Sequence, residues 1–208
     1  MQRCLQLGLM GLGSASPNPL VGCVIVYRNK IISEGYHKVY GGTHAEADAI
    51  NYVTNKDLLE NSTLYVNLEP CSHYGKTPPC TRLIIEKKIP EVVIGSTDTN
   101  DKVDGNGSIV LKSAGIKVVS GIMDEECREI NKRFFTFVEK KRPYIILKWA
   151  ETKDGFISYD KQKTGEIPLL ISNEEMLMLS HKWRTEEQAI MIGTNTAAID
   201  NPELTARK

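Results

Sequence analysis

Segments with the hydrophobic periodicity of strands and of helices alternate along the first 140 residues, separated by short stretches rich in Gly, Pro, Asn and Asp. This alternation predicts an α/β sandwich, in which helices cover a central sheet. The predicted strands are residues 20–27, 30–33, 62–67, 91–95 and 116–119. The predicted helices are residues 2–11, 44–53, 79–87 and 124–138.

Composition and charge restrict the possible functions. Hydrophobic residues make up 41% of the chain and charged residues 25%, as in ordinary globular proteins that bury a core. Lys plus Arg and Asp plus Glu number 26 each, so no overall field attracts the chain to nucleic acid or to an anionic membrane. No apolar run approaches the roughly 18 to 20 residues that span a bilayer. These features predict a cytoplasmic protein without a nucleic-acid or membrane partner.

A charged, proline-containing stretch at residues 139–143 is typical of a linker. We therefore predict one domain over residues 1–142 and a second over residues 143–208. The elements expected in the second domain are a strand at residues 144–150, a hairpin near Asp154 and Gly155, a helix at residues 173–185 and a strand at residues 188–192. So few strands leave an open sheet edge and a small core, which predicts that the second domain is incomplete.

The strongest chemical signal combines a histidine and a glutamate at the start of a predicted helix with two later cysteines. His44 and Glu46 are separated by one residue, and Cys71 and Cys80 follow a predicted strand. One imidazole and two thiolates fill three positions of a tetrahedral zinc site and leave the fourth to water, as in catalytic sites. Zinc lowers the pKa of such a water towards about 7. We therefore predict that His44, Cys71 and Cys80 bind zinc.

Glu46 has the position and chemistry of a proton shuttle. This carboxylate can take a proton from the attacking water and deliver it to a ring nitrogen and to the departing amine. A glutamate that is not a zinc ligand marks the zinc deaminases of nucleobases. The two cysteines here stand nine positions apart instead of the usual three, which inserts a loop at residues 72–79. Lys76 in this loop is a candidate phosphate contact.

Two alternatives remain open on these residues alone. One is a zinc deaminase that acts on another nucleoside or nucleobase, including a tRNA base, although balanced charge does not predict an RNA-binding surface. The other is a non-catalytic module that zinc only stabilises, in which Glu46 has no role. The remaining cysteines, Cys4, Cys23 and Cys127, are expected to be core residues, because an odd, scattered set is not a disulfide framework.

Longer motifs resemble the bifunctional riboflavin-biosynthesis deaminase/reductase family over essentially the whole chain. The motifs are PNPLVGC at residues 17–23, EGYH at 34–37, HAE at 44–46 and the unbroken LEPCSHYGKTPPC at 68–80. The resemblance implies a cytidine-deaminase-like three-layer α/β/α sandwich followed by the start of a dihydrofolate-reductase-like α/β domain. It also implies hydrolytic, zinc-dependent deamination of 2,5-diamino-6-(5-phosphoribosylamino)pyrimidin-4(3H)-one.

The resemblance assigns further residues to the deaminase substrate, a phosphorylated pyrimidine. Asn18 corresponds to a residue that orients the base, and its amide can read both a donor and an acceptor on a pyrimidine edge. His37 and Lys76 correspond to positions on the phosphate side. Because the family usually associates, we expect a homo-oligomer.

Beyond the linker, residues 147–150 and 193–207 resemble the opening of the family's NADPH-dependent reductase. By position, the cofactor residues are Ala150, Thr196 and Asp200, and the reductase substrate residues are Arg184, Leu204 and Arg207. Residues 169–171 are Leu-Leu-Ile where the family has polar and stacking side chains, and the family's glycine-rich cofactor segment is missing. We therefore expect a truncated form in which the deaminase works and the reductase does not.

Overall fold

The computed structural model describes residues 1–75, 78–98, 106–157 and 171–207 and divides the chain into two compact units, Met1–Tyr144 and Ile145–Lys208. The strands are β1 (Gly22–Tyr27), β2 (Lys30–Tyr36), β3 (Thr63–Leu68), β4 (Glu91–Ser96) and β5 (Lys117–Ser120). The helices of the first unit are α1 (Gln2–Leu9), α2 (Ala45–Tyr52), α3 (Cys80–Glu86), α4 (Asn106–Ser113), α5 (Asp124–Ile130) and α6 (Lys132–Lys140), with a 3-10 helix at Lys56–Asn61. Those of the second unit are α7 (Glu174–Glu186) and α8 (Thr194–Asp200).

The first unit is built on a mixed five-stranded sheet with the order β2-β1-β3-β4-β5. β1 runs antiparallel to both β2 and β3, whereas β3, β4 and β5 are parallel to one another. Apolar side chains of the sheet and of α2, α3 and α4 form the main buried cluster. The sequence-based prediction of a cytidine-deaminase-like α/β sandwich is therefore confirmed.

A tight hairpin joins β1 to β2. Tyr27 pairs with Lys30, and the two residues between them, Arg28 and Asn29, have φ angles of 48° and 61°. Positive φ at both central positions defines the turn that matches the right-handed twist of a two-residue hairpin. β2 continues to Tyr36, three residues beyond its predicted end, because its pairing with β1 extends to Gly22.

The predicted helix at residues 124–138 is wrong in one respect, because it is two helices that meet at Asn131. Asn131 has φ −103° and ψ 17°, outside the helical region, and its side chain is only 2% exposed. Its amide forms hydrogen bonds with both backbone groups of Leu20, at 2.7 and 3.0 Å. The apolar spacing of this segment favours one continuous helix. The break occurs at the residue that makes these tertiary contacts.

Helix α4 was not predicted from the sequence. Its first turn, Asn106, Gly107 and Ser108, has the composition of a loop. The backbone N–H of Ser108 donates to Glu69 Oε1 at 2.7 Å, so a buried carboxylate from the end of β3 satisfies one of the unpaired groups at the helix start. Because Glu69 is distant in sequence, the residues around the start of α4 do not by themselves predict a helix.

The two strands predicted in the second unit are wrong. Residues 144–150 and 188–192 are irregular, and no strand partner occurs among the described residues of this unit. A strand needs a neighbouring strand to bind its backbone groups, and the apolar pattern alone does not supply one. The predicted helix is confirmed as α7, which starts after Asn173, whose Oδ1 accepts from the backbone N–H of Met176 at 3.0 Å. A turn at Thr152–Phe156 stands where the hairpin was expected, and α8 was not predicted.

None of the helices in the described ranges combines the length and the apolar character that a bilayer crossing requires.

Gly35 permits the close packing of α2 against β2. A Cβ atom at this position would lie 2.3 Å from Ala49 N and 2.6 Å from Ala45 O, both backbone atoms of α2. We expect Gly35→Ala to lower the free energy of unfolding by about 1–3 kcal/mol, because helix and strand must separate. Denaturant unfolding measures this loss. Gly75→Ala is the control, since no atom lies within 4 Å of its added Cβ; equal stability of the two variants would contradict the packing argument.

Candidate metal centre

Three ligand-type side chains converge beside the first turns of two helices. His44 directly precedes α2, Cys80 is the first residue of α3, and Cys71 lies three residues beyond β3. The His44 Nδ1 atom is 3.5 Å from Cys71 Sγ and 3.3 Å from Cys80 Sγ. All three ligand atoms lie within 4.8 Å of one another. The structure thus brings together the three residues that the sequence predicts to be zinc ligands.

The spacing and donor chemistry of this cluster fit zinc. Zinc–sulfur and zinc–nitrogen bonds of about 2.3 and 2.0–2.1 Å at a tetrahedral angle place sulfur and nitrogen about 3.6 Å apart. The two nitrogen–sulfur distances, 3.5 and 3.3 Å, are close to that value. Two sulfur donors and one imidazole leave a fourth coordination position for water or substrate, as catalytic zinc sites do.

Hydrogen bonds among the three side chains also shift their pKa values. Hydrogen bonds from Cys80 and His44 lower the pKa of the Cys71 thiol, with the Cys80 bond contributing most. The backbone N–H of Cys80 also donates to Cys71 Sγ, at 3.3 Å. The bond to Cys71 is the main reason that the pKa of His44 is raised. Since a metal binds thiolate and neutral imidazole, zinc loading releases the protons that this cluster holds.

Glu46 lies against the cluster in the first turn of α2. It is 4% exposed, and burial raises its pKa to about 7, with the negative charge of Cys71 acting in the same direction. The Cys80 side chain lies within hydrogen-bonding reach of the Glu46 carboxyl group. A carboxyl group with a pKa close to neutrality can both accept and donate a proton at physiological pH, which is what a proton shuttle requires.

A cavity of about 310 Å³ opens onto the cluster. His44, Cys71 and Glu46 line one part of it, and Asn18 and His37 line another. Its volume lies at the lower end of the range for small-molecule sites. Side chains that sequence reasoning did not single out also line the cavity, namely Glu69, Asp98 and Phe134.

His37 and Asn18 form a hydrogen-bonded pair in the wall of the cavity. The His37 Nδ1 atom is 2.9 Å from the carbonyl oxygen of Thr43, which can only accept, so Nδ1 carries a proton. The Nε2 atom of a neutral His37 ring is then an acceptor, and Asn18 Nδ2 donates to it at 2.9 Å. His37 is only 3% exposed, and both of its ring nitrogens are engaged. This arrangement favours a role in orienting Asn18 over a direct phosphate contact.

Glu69 connects β3 to the elements that follow β4. It is 4% exposed, and its two carboxylate oxygens accept hydrogen bonds from the backbone N–H groups of Ser108 and Asp98, at 2.7 and 3.3 Å. The position of Glu69 between a buried strand and Pro70 could have drawn attention to it in the sequence. Its hydrogen-bond partners could not be predicted, because they are distant in sequence. Lys76, the remaining predicted deaminase residue, lies outside the described residues.

In the second unit, the predicted reductase substrate residues lie around α7. Arg184 donates through Nη1 to the carbonyl oxygen of Thr205 at 2.9 Å, which places the segment carrying Leu204 and Arg207 beside this helix. The backbone N–H of Arg207 donates to His181 Nδ1 at 3.1 Å. The predicted cofactor residues lie elsewhere along the chain, with Thr196 and Asp200 in α8 and Ala150 in an irregular segment.

The fold and the cluster define a class of protein. Residues 1–96 match the family described as the cytidine and deoxycytidylate deaminase zinc-binding region, and residues 143–208 match the RibD C-terminal domain. The first unit is therefore a zinc-binding deaminase domain with a cytidine-deaminase-like fold. The chain as a whole belongs to the bifunctional riboflavin biosynthesis protein RibD family, as its sequence motifs predicted.

Three relatives illustrate the similarity. The diaminohydroxyphosphoribosylamino-pyrimidine deaminase of Buchnera aphidicola subsp. Schizaphis graminum is 48% identical over 135 residues, which are 65% of this chain and 90% of that protein. The riboflavin biosynthesis protein RibD of Actinobacillus pleuropneumoniae is 44% identical over 100% of this chain and 54% of its own length. The crystal structure of the deaminase/reductase of Thermotoga maritima is 43% identical with a TM-score of 0.89, covering 100% of this chain and 58% of that one. The chain thus spans about half the length of the curated RibD relatives it matches.

Proposed function

We propose that this chain hydrolyses the exocyclic amine of 2,5-diamino-6-(5-phosphoribosylamino)pyrimidin-4(3H)-one, releasing ammonia. The observation that carries the proposal is the buried Glu46 carboxyl group beside the His44, Cys71 and Cys80 cluster, on a cavity of about 310 Å³. The substrate class comes from the 48%-identical Buchnera relative, whose name states this deaminase activity.

His44, Cys71 and Cys80 would hold zinc, which when bound supplies a water molecule activated for attack at neutral pH. Glu46 accepts a proton from the attacking water and delivers it to the ring nitrogen beside the attacked carbon. Glu46 next takes the proton of the hydroxyl group now on that carbon and passes it to the exocyclic amine, so that the carbon–nitrogen bond breaks and ammonia leaves while a carbonyl group remains on the ring. The raised pKa of Glu46 suits both directions of transfer.

Asn18 orients the pyrimidine through its amide, and His37 holds that amide in one orientation. Because the neutral Nε2 atom of His37 is an acceptor, it attracts the Asn18 Nδ2 group and repels Oδ1. Asn18 therefore presents its carbonyl oxygen and its second N–H away from His37. Lys76 remains the candidate for the substrate phosphate, as a cation in the loop between Cys71 and Cys80.

Two substitutions of His37 separate its two hydrogen bonds. His37→Gln places an acceptor near the Nε2 position, whereas His37→Asn keeps a donor near the Nδ1 position and removes the acceptor for Asn18. We expect kcat/KM to fall about tenfold in His37→Asn and by less than about threefold in His37→Gln, the difference corresponding to roughly one hydrogen bond. Steady-state ammonia release measures both values.

The same kinetics with a substrate lacking the phosphate test the alternative role of His37. Orientation of Asn18 predicts the same fold-losses with and without the phosphate. A loss that disappears when the phosphate is removed would instead identify His37 as a phosphate contact and contradict its assignment as a positioning residue.

The second unit is proposed to be the beginning of a reductase domain, with the domain boundary at residues 142 and 143. Ala150, Thr196 and Asp200 are the proposed NADPH residues, and Arg184, Leu204 and Arg207 the proposed substrate residues. We further propose a cytoplasmic homo-oligomer that acts on a small molecule without a membrane or nucleic-acid partner.

The deaminase proposal is tested by measuring zinc content and ammonia release on the same purified sample. We expect one zinc per chain, turnover of the diaminopyrimidine phosphate, and loss and recovery of activity on removal and return of zinc. Cytidine, deoxycytidylate and guanine serve as competing substrates. Preference for one of these, or zinc binding without any turnover, would contradict the proposed function.

A further inference from the structure

Two buried amides hold the short segment that leads from the cavity into the sheet. This segment, residues 20–22, is here named the approach segment; it follows Asn18 and Pro19, which line the cavity, and it ends at the first residue of β1. The Asn131 side chain binds both backbone groups of Leu20, accepting from its N–H at 2.7 Å and donating to its carbonyl oxygen at 3.0 Å. Asn131 thus joins the start of α6 to the cavity wall.

Asn67 holds the same segment from the sheet side. Its Oδ1 accepts from the N–H of Gly22 at 2.7 Å, and its Nδ2 donates to the Leu20 carbonyl oxygen at 2.9 Å. The Leu20 carbonyl therefore receives hydrogen bonds from two side chains, one from β3 and one from the junction of α5 and α6. Asn67 and Asn131 are 0% and 2% exposed, so these bonds form away from competing water.

The approach segment also forms a hydrogen bond with His37, which pairs with Asn18 in the cavity wall. The Val21 carbonyl oxygen accepts a hydrogen bond from the His37 N–H at 2.9 Å, and the His37 ring binds Asn18. His37 and Asn18 are consequently connected to Asn131 through two and three hydrogen bonds, respectively. Phe134, less than one helical turn after Asn131, lines the cavity as well.

We propose that Asn131 is a positioning residue of the deaminase site, acting through the approach segment to place Asn18. The kinetic test of this inference rests on the proposed function, whereas the NMR test described below does not. An amide that only stabilised the helix junction would bind backbone groups of α5 and α6, and Asn131 makes its two shortest bonds to Leu20 instead.

The test uses Asn131→Asp in the full, zinc-loaded chain. The carboxylate keeps an acceptor for the Leu20 N–H but cannot donate, so an oxygen faces the Leu20 carbonyl. We expect KM for the diaminopyrimidine phosphate to rise about tenfold, with kcat changed by less than about threefold and zinc content unchanged, since one substrate-binding contact is misplaced. Ser62→Ala is the matched control, because this buried hydroxyl donates to Leu58 O and does not contact the approach segment.

Two substrate-free NMR measurements make the outcome independent of the assigned reaction. In the wild-type chain, the Leu20 and Gly22 amides are expected to exchange slowly with solvent, because their acceptors are buried side chains. In Asn131→Asp, the Asn18 side-chain amide signal is expected to shift, and in Ser62→Ala it is not. Rapid exchange of Leu20 and Gly22, or an unmoved Asn18 signal with unchanged KM, would overturn the inference. Absence of turnover in the wild type, with the NMR results as expected, would overturn only the proposed substrate.

Discussion

Glu46→Gln is expected to reduce the rate of ammonia release by about 10²–10⁴-fold while leaving the zinc content unchanged. Glutamine has almost the shape of glutamate, but its amide cannot carry a proton between water, ring nitrogen and amine. The carboxyl group lies beside the cluster and is not one of the three clustered ligand residues, so its loss leaves the ligand set intact. Steady-state kinetics and metal analysis on the same sample separate the two effects.

Asp48→Asn is the matched control for this substitution. Asp48 lies two residues further along α2 and pairs with Lys38 outside the cavity, with an Oδ2–Nζ distance of 3.0 Å. The change replaces a carboxyl group by an amide in the same first helical turn, so it reports any general electrostatic effect on α2. Full activity of Glu46→Gln would contradict the proposed role of Glu46 as the proton shuttle.

Cys80→Ser is expected to lower zinc affinity by more than about 100-fold and to abolish turnover at stoichiometric zinc. Loss of a residue that merely supports a zinc ligand costs 10–100-fold in affinity in other sites, and loss of a ligand itself costs more. A serine hydroxyl does not ionise near neutral pH, so the site loses a thiolate donor and its negative charge. Titration against a chelator of known affinity measures the change.

Cys4→Ser provides the control for the same chemical substitution at a buried cysteine outside the cluster. The Cys4 thiol donates to Tyr65 O at 3.4 Å, and a serine hydroxyl can make the same bond. Zinc affinity is expected to be unchanged in this variant. Tight stoichiometric binding by Cys80→Ser would show that Cys80 is not a ligand, and the predicted His-Cys-Cys set would then be wrong.

The site illustrates which features a sequence predicts well. His44, Glu46, Cys71 and Cys80 are chemically distinctive, and each stands at the boundary of a helix or beyond the end of a strand. Residues of this kind can be recognised by type and spacing alone. The ligand atoms of His44, Cys71 and Cys80 lie within 4.8 Å of one another, which agrees with what the spacing predicts for a zinc site.

The environment of His37 could not be predicted in the same way. The sequence predicts a residue near the substrate phosphate, and the structure places a buried ring whose two nitrogens bind Thr43 and Asn18. Burial and tautomer depend on what surrounds the ring in three dimensions. Neither is encoded in the local motif EGYH, so the proposal that His37 positions Asn18 depends on the hydrogen bonds of the folded protein.

Local sequence was enough to predict the alternation of strands and helices, the two-residue gap at Arg28 and Asn29 between the first two strands, and the chemical identity of the candidate metal centre. These features depend on periodicity, on turn residues and on side-chain type, which are local properties. Tertiary structure alone decided the helix break at Asn131 and the stabilisation of α4 by Glu69. Both depend on hydrogen bonds between a buried side chain and the backbone of a residue 111 or 39 positions away, and a buried polar group must find its partner wherever the fold supplies one.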